Sequence, residues 1–120
     1  MTPPKLFQIT TLIAAIFGSA AYAERSTVQD KQQFLNLVSG KTLQRPLVSL
    51  VVTPSGTITG KGAMREVKGQ WTWKDGYFCR TLYWGGDDLG YNCQLVTFDG
   101  RKLTFTADQG AGQSAAFSLR

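Results

Sequence analysis

Histidine is absent from all 120 residues, which removes the commonest general base and metal ligand. A Ser-His-Asp triad goes with it. Cysteine occurs only as Cys79 and Cys93, so a pairing between them leaves no thiol for nucleophilic work. No acid–base constellation can be assembled from what remains, and no enzymatic activity, metal site or cofactor is expected. Acids number eight against thirteen Lys and Arg. Nucleic-acid binders gather such an excess into a patch or stripe, whereas here the cations are scattered singly, as on a solvated surface. No nucleic-acid partner is expected. Long apolar runs are also missing beyond residue 23, so no membrane span is expected there.

What is present begins with a leader. Lys5 precedes an uncharged stretch through Leu12-Ile13-Ala14-Ala15-Ile16-Phe17 to Ala21-Tyr22-Ala23. This is the order of a cleavable secretory signal: a cation, an apolar segment and an A-x-A site. Thr10, Thr11, Gly18 and Ser19 dilute the stretch below the roughly 20 apolar residues of a spanning helix. No cysteine near the cleavage point offers a lipid attachment site. The expected mature protein is therefore residues 24–120, periplasmic or secreted.

One domain of 97 residues is near the lower end for a self-sufficient core. Export to an oxidising compartment makes a Cys79–Cys93 disulfide the default. Closing that loop contributes about 3 kcal/mol on a chain-entropy estimate.

The expected fold is mainly β: one N-terminal helix, then an antiparallel meander of about eight strands forming a small barrel or curled sheet, lipocalin-like in shape. The helix is placed at about 27–39, with Ser26 or Thr27 as its cap, Gln29 or Asp30 three residues on, and Gly40 as its stop. Beyond it, short β-branched and aromatic runs are expected as strands at 41–45, 47–53, 57–61, 67–73, 77–84, 91–98, 101–107 and 115–119. Pro54-Ser55-Gly56, Asp75-Gly76, residues 85–90 and Asp99-Gly100 separate several of them, and tight turns of this kind join antiparallel neighbours.

Turn chemistry also predicts register. A two-residue Asp75-Gly76 turn pairs Lys74 with Tyr77, Trp73 with Phe78, Thr72 with Cys79 and Trp71 with Arg80. Setting Cys79 opposite Cys93 pairs Phe78 with Gln94 and Arg80 with Asn92, and an Asp99-Gly100 turn pairs Val96 with Leu103. Side chains alternate between faces. Trp71, Trp73, Phe78, Arg80, Leu82, Trp84, Val96, Phe98, Leu103 and Phe105 then share the inner face, and the cysteines lie outside with Tyr77, Tyr83 and Tyr91.

Three polar residues, Arg80, Asn92 and Gln94, fall on that otherwise apolar inner face. An inward guanidinium needs an acid, carbonyls, an anion or an aromatic face. Two readings follow: Trp71, Arg80, Asn92 and Gln94 line a ligand cavity or its mouth, or Arg80 stacks on Trp71 at the rim and points to water.

Other motifs carry less. Asp87-Asp88 offers oxygens to Ca²⁺, but two adjacent carboxylates without further ligands are expected to form a plain hairpin tip. Gly110-Ala111-Gly112-Gln113-Ser114-Ala115 matches G-x-G-x-x-A, a fingerprint that works only between a strand and a helix. Five residues after Ala115 leave no room for that helix.

Gly69-Gln70-Trp71 is similar to the Gly-x-Trp of lipocalins, whose Trp closes one barrel end under an Arg; the likeness implies an Arg80–Trp71 pair. The string Gly69-Gln70-Trp71-Thr72-Trp73-Lys74-Asp75-Gly76-Tyr77-Phe78-Cys79-Arg80, with Gly90-Tyr91-Asn92-Cys93-Gln94 and Asp108-Gln109-Gly110-Ala111-Gly112, resembles a family of short, functionally uncharacterised exported bacterial proteins. Some of its members carry the name dihydrodipicolinate reductase. That name implies an NAD(P)H enzyme with a dinucleotide-binding domain and catalytic His and Lys. This sequence has neither the length, the βαβ unit nor a histidine, so the activity is not expected. In size and architecture the chain is also similar to periplasmic metalloprotease inhibitors, in which an N-terminal segment enters the protease cleft; Glu24-Arg25-Ser26 would take that place.

Two functions are thus expected as alternatives. One is an exported binding or interaction module for a small amphiphilic or anionic ligand. The other is an inhibitor of a secreted protease acting through its N-terminus.

Overall fold

The computed structural model describes residues 24–120; the leader assigned to residues 1–23 lies outside them. The order is β1 (Ser26–Thr27), α1 (Lys31–Val38), β2 (Leu43–Arg45), β3 (Val48–Val52), β4 (Thr57–Gly62), β5 (Arg65–Lys74), β6 (Tyr77–Trp84), β7 (Asp87–Phe98), β8 (Lys102–Thr106) and β9 (Ser114–Leu119). Each strand from β2 to β9 pairs antiparallel with the next. Leu43 opposite Leu119 and Gln44 opposite Ser118 join β9 back to β2. The result is a closed eight-stranded barrel. Closure removes the exposed strand edges of a curled sheet, and a barrel of this size leaves an interior just wide enough for side chains or one small ligand.

Alternation of side chains sorts the interior. In β5, Val67 and Trp71 are buried while Lys68, Gln70 and Thr72 are exposed. Trp71 shares one core with Phe78, Val96, Leu103, Phe105 and Phe117 and with Leu43, Val52 and Ile58. Pairing of β5 with β6 follows the expected register from Lys74–Tyr77 to Trp71–Arg80. The β6–β7 pairs Phe78–Gln94, Cys79–Cys93 and Arg80–Asn92 are likewise as expected, and the disulfide joins Cys79 to Cys93.

The helix differs from the expectation. It begins at Lys31 and follows a strand. Asp30 is its cap, accepting the Gln33 N–H at 2.8 Å, while the Gln33 side chain accepts the Gln29 N–H at 2.9 Å. Ser26 and Thr27 instead pair with Phe98 and Thr97, on the stretch of β7 that extends beyond the start of β6. Val28 decides the outcome: as the residue after a strand it is 1% exposed and donates to the Val96 carbonyl, whereas in a first helical turn it would lose that burial. Gly40, at φ +74, ends the helix as expected.

Two hairpins also depart from the expected scheme. Val96 faces Phe105 rather than Leu103, and Leu103 faces Phe98. Asp99 causes this two-residue slip, because its carboxylate accepts the Arg101 and Lys102 N–H groups and draws Arg101 into the turn. A slip of two keeps every side chain on its face. Residues 85–90 are not a loop, since β7 already begins at Asp87. The pairing shifts between Thr81 and Tyr83, leaving a β-bulge around Leu89 and Gly90.

The barrel has two unlike ends. The Asp75-Gly76 and Asp99–Lys102 turns mark the one that α1 covers, where Phe34 is fully buried with its ring centroid 5.3 Å from both Trp71 and Trp73 and 5.2 Å from Phe78. At the other end lie the turns at Pro46-Leu47, Ala63-Met64 and Gly85-Gly86. No helix among the described residues is long and apolar enough to cross a membrane.

Candidate functional site

Glycines inside strands shape the interior. A Cβ at Gly60 would stand 2.0 Å from the Ser49 carbonyl oxygen, and one at Gly69 would stand 2.2 Å from that of Thr81. These strands approach too closely for any side chain. Above the Phe34–Trp71–Phe78 floor a cavity of about 180 Å³ remains, lined by Leu43, Leu50, Val52, Ile58, Phe78, Arg80, Leu82, Gln94, Phe105, Ala115 and Phe117. It is open on one side. A wider apolar cleft at the uncovered end shares Leu50, Leu82 and Phe117 with it and adds Arg45, Pro46, Leu47, Val48, Trp84 and Leu89, among others.

Arg80 projects into the cavity from β6. Its Nη1 donates to the Gly90 carbonyl at 2.8 Å, the carbonyl at the β-bulge. Among the described residues no carboxylate lies within 4.0 Å of it. Burial pulls its pKa down from the usual arginine value: the guanidinium has lost water without gaining an opposite charge. Gln94, one strand over, presents the second polar side chain of the lining.

The other two expected site residues lie elsewhere. Asn92 belongs to a loop staple: its Nδ2 donates to Asp108 Oδ1 at 2.7 Å and its Oδ1 accepts the Asp108 N–H at 2.9 Å. The staple fixes a 3-10 turn, Asp108–Gly110, in which Asp108 and Gln109 hold positive φ. Trp71 belongs to the floor. Its Nε1 donates to the Thr53 carbonyl at 2.9 Å, its ring stacks on Phe78, and Lys31 from the helix, not Arg80, is the cation over it, at 5.6 Å. Trp71 and Arg80 face each other along the ladder, yet Trp71 packs toward the covered end and Arg80 reaches toward the open one.

Sequence reasoning missed the cavity walls supplied by β2, β3, β4 and β9, because no turn signal linked those strands to the β5–β7 register. The signals within reach were Gly60 and Gly69. The uncovered rim was missed too. Ala63 and Met64 sit at φ 48° and 70°, and Leu47 at 67°, in turns where Gly or Asn would ordinarily announce the geometry.

Remaining motifs take structural parts. Asp87 accepts Arg65 Nη1 at 3.2 Å, and Asp88 accepts the Gly90 N–H at 2.7 Å, which fixes the bulge. The G-x-G-x-x-A match runs from the 3-10 turn into β9 with no helix after it. Of Glu24, Arg25 and Ser26, the last is already paired in β1. Comparison with protein-family models, with curated proteins and with solved structures finds no match.

Proposed function

We propose that the barrel is a binding module for a small amphiphile, with the ligand's apolar part in the cavity and its anionic group against Arg80 and Gln94. The observation that carries this reading is the guanidinium itself. The guanidinium is half-buried and has given up part of its hydration without a counter-charge beside it among the described residues, and in an apolar cavity its natural complement is an anion, a carboxylate above all because it accepts two parallel N–H bonds. Size agrees, since an engineered apolar cavity of about 150 Å³ holds benzene. A chain longer than that would extend into the open cleft. We infer likewise that the mature chain acts outside the cytoplasm after loss of residues 1–23. The leader pattern and the disulfide both support that location.

Titration calorimetry with octanoate and octanol tests the reading. Octanoate should bind at least about tenfold more tightly than octanol, and Arg80→Met should bring the two together. Equal affinities for the unaltered protein, or no binding of either, would sink it. The protease-inhibitor alternative is separated by Glu24→Ala with Arg25→Ala, which leaves β1 intact as a deletion through Thr27 would not. An inhibitor would lose its effect, while a cavity binder would keep octanoate.

A further inference from the structure

We propose that the uncovered end of the barrel docks on a lipid bilayer, with Leu47 and Met64 as the side chains that enter the apolar phase. Three large aliphatic residues are at least half exposed among the described residues: Met64 at 90%, Leu47 at 79% and Leu89 at 50%. All three stand at this one end. Leu47 and Met64 also occupy left-handed backbone, at φ 67° and 70°, where a Cβ-bearing side chain is disfavoured and Gly or Asn would fit without cost. At 79% and 90% exposure, Leu47 and Met64 bury little side-chain surface to offset that cost.

The tips are held outward. The Ala63 N–H donates to the Leu47 carbonyl at 2.8 Å, which ties one turn to the other, and Trp84 Nε1 donates to the Gly62 carbonyl at 2.7 Å. Arg65 lies over the Trp84 ring at 4.1 Å and bonds the Gly85 carbonyl and Asp87.

A bilayer suits this geometry better than a protein. Specific protein interfaces need roughly 800 Å² of matched surface on each partner, whereas isolated side chains on hairpin tips enter a fluid apolar phase without any shape match. Charge near the tips is balanced, with Arg45, Lys61 and Arg65 against Glu66, Asp87 and Asp88, so no anionic surface is called for. Continuity adds a purpose: Leu47 and Leu89 line the cleft that runs through Leu50, Leu82 and Phe117 into the cavity. An amphiphile dissolved in the bilayer would reach Arg80 without crossing water. That purpose rests on the ligand reading above, whereas the docking does not.

Flotation of the purified protein with phosphatidylcholine vesicles tests the proposal. The protein should float with the vesicles, and the Leu47→Asn, Met64→Asn double variant should lose about tenfold or more in partitioning. Asn tolerates positive φ, so the variant should keep its melting temperature. Unaltered protein that stays with the soluble fraction, or a double variant that floats equally well, would overturn docking. So would a sedimentation dimer that the double variant abolishes without any flotation, because a second copy would then be the occupant. Flotation without octanoate binding would refute the ligand reading alone.

Discussion

The Arg80 guanidinium and the Gly90 carbonyl, 2.8 Å apart, join the cavity to the one irregularity in the β6–β7 seam. Gly90 lies where the register shifts opposite Leu82, with its N–H held by Asp88. The bulge turns a backbone acceptor toward a cation that has no acid beside it among the described residues.

Arg80 therefore contributes little to stability in the ligand-free protein. Arg80→Met removes an uncompensated charge at the cost of one hydrogen bond, so urea unfolding should place the variant within about 1 kcal/mol of the parent, or above it. A loss of several kcal/mol would mean that the guanidinium is a structural group, and the anion would lose its reason to bind there.

Cys79 and Cys93 face each other three residues from that bulge, 14 positions apart in sequence. Replacing both by alanine should cost about 2–4 kcal/mol in denaturant unfolding. Cys79 is 1% exposed although it points away from the barrel axis, so part of the loss will be packing rather than chain entropy. Reduction of the unaltered protein isolates the entropic part, since it keeps both sulfurs.

The β5–β7 half of the barrel was legible because each pairing had a local marker, Asp75-Gly76 for one hairpin and the two cysteines for the next. Face assignment survived even where register did not, as Val96 shows by facing Phe105 instead of Leu103 while staying inside. Pro54-Ser55-Gly56 marked the turn between β3 and β4, but the β2–β3 and β4–β5 turns lacked such markers. These two turns use Leu47, Ala63 and Met64 at positive φ, residues that carry no turn signal, so the cavity wall that β2 to β4 build could not be drawn from composition. The helix start was ambiguous for a different reason: Ser26, Thr27 and Asp30 all satisfy capping chemistry, and only burial of Val28 chooses among them. Of the four residues expected to line a cavity, Arg80 and Gln94 lie in one lining, and among the described residues neither is hydrogen-bonded to another side chain, whereas Asn92 is held by Asp108 and Trp71 by the Thr53 carbonyl.

Asp99 should make stability depend on acidity. The N–H groups of Lys102 and Arg101 hold its carboxylate below the usual aspartate range. A carboxylate depressed by folding stabilises the protein above its unfolded-state pKa, about 3.9, and that contribution fades as pH falls through the lower folded value. Asp99→Asn should thus be less stable than the parent at neutral pH, with the gap narrowing below about pH 4. Urea midpoints at two pH values measure this; a gap that stays constant would show that the amide replaces every bond the carboxylate makes.

The two floor tryptophans should respond differently to the same change. Trp71 is 4% exposed and donates its indole N–H to the Thr53 carbonyl, so Trp71→Phe loses buried area and one of the two hydrogen bonds that carbonyl accepts, the other coming from the Gly56 N–H at 3.1 Å. Trp73 packs on Phe34 at 5.3 Å, but its buried Nε1 has no partner among the described residues. Removing an unsatisfied donor returns part of what the smaller ring gives up. Thermal or urea unfolding should find Trp71→Phe more destabilising than Trp73→Phe by about 1–2 kcal/mol. Both variants should still bind octanoate, because neither ring lines the cavity. Should Trp73→Phe prove the costlier, its indole would have to be bonded in solution, by water or by a shift of the helix that covers this end.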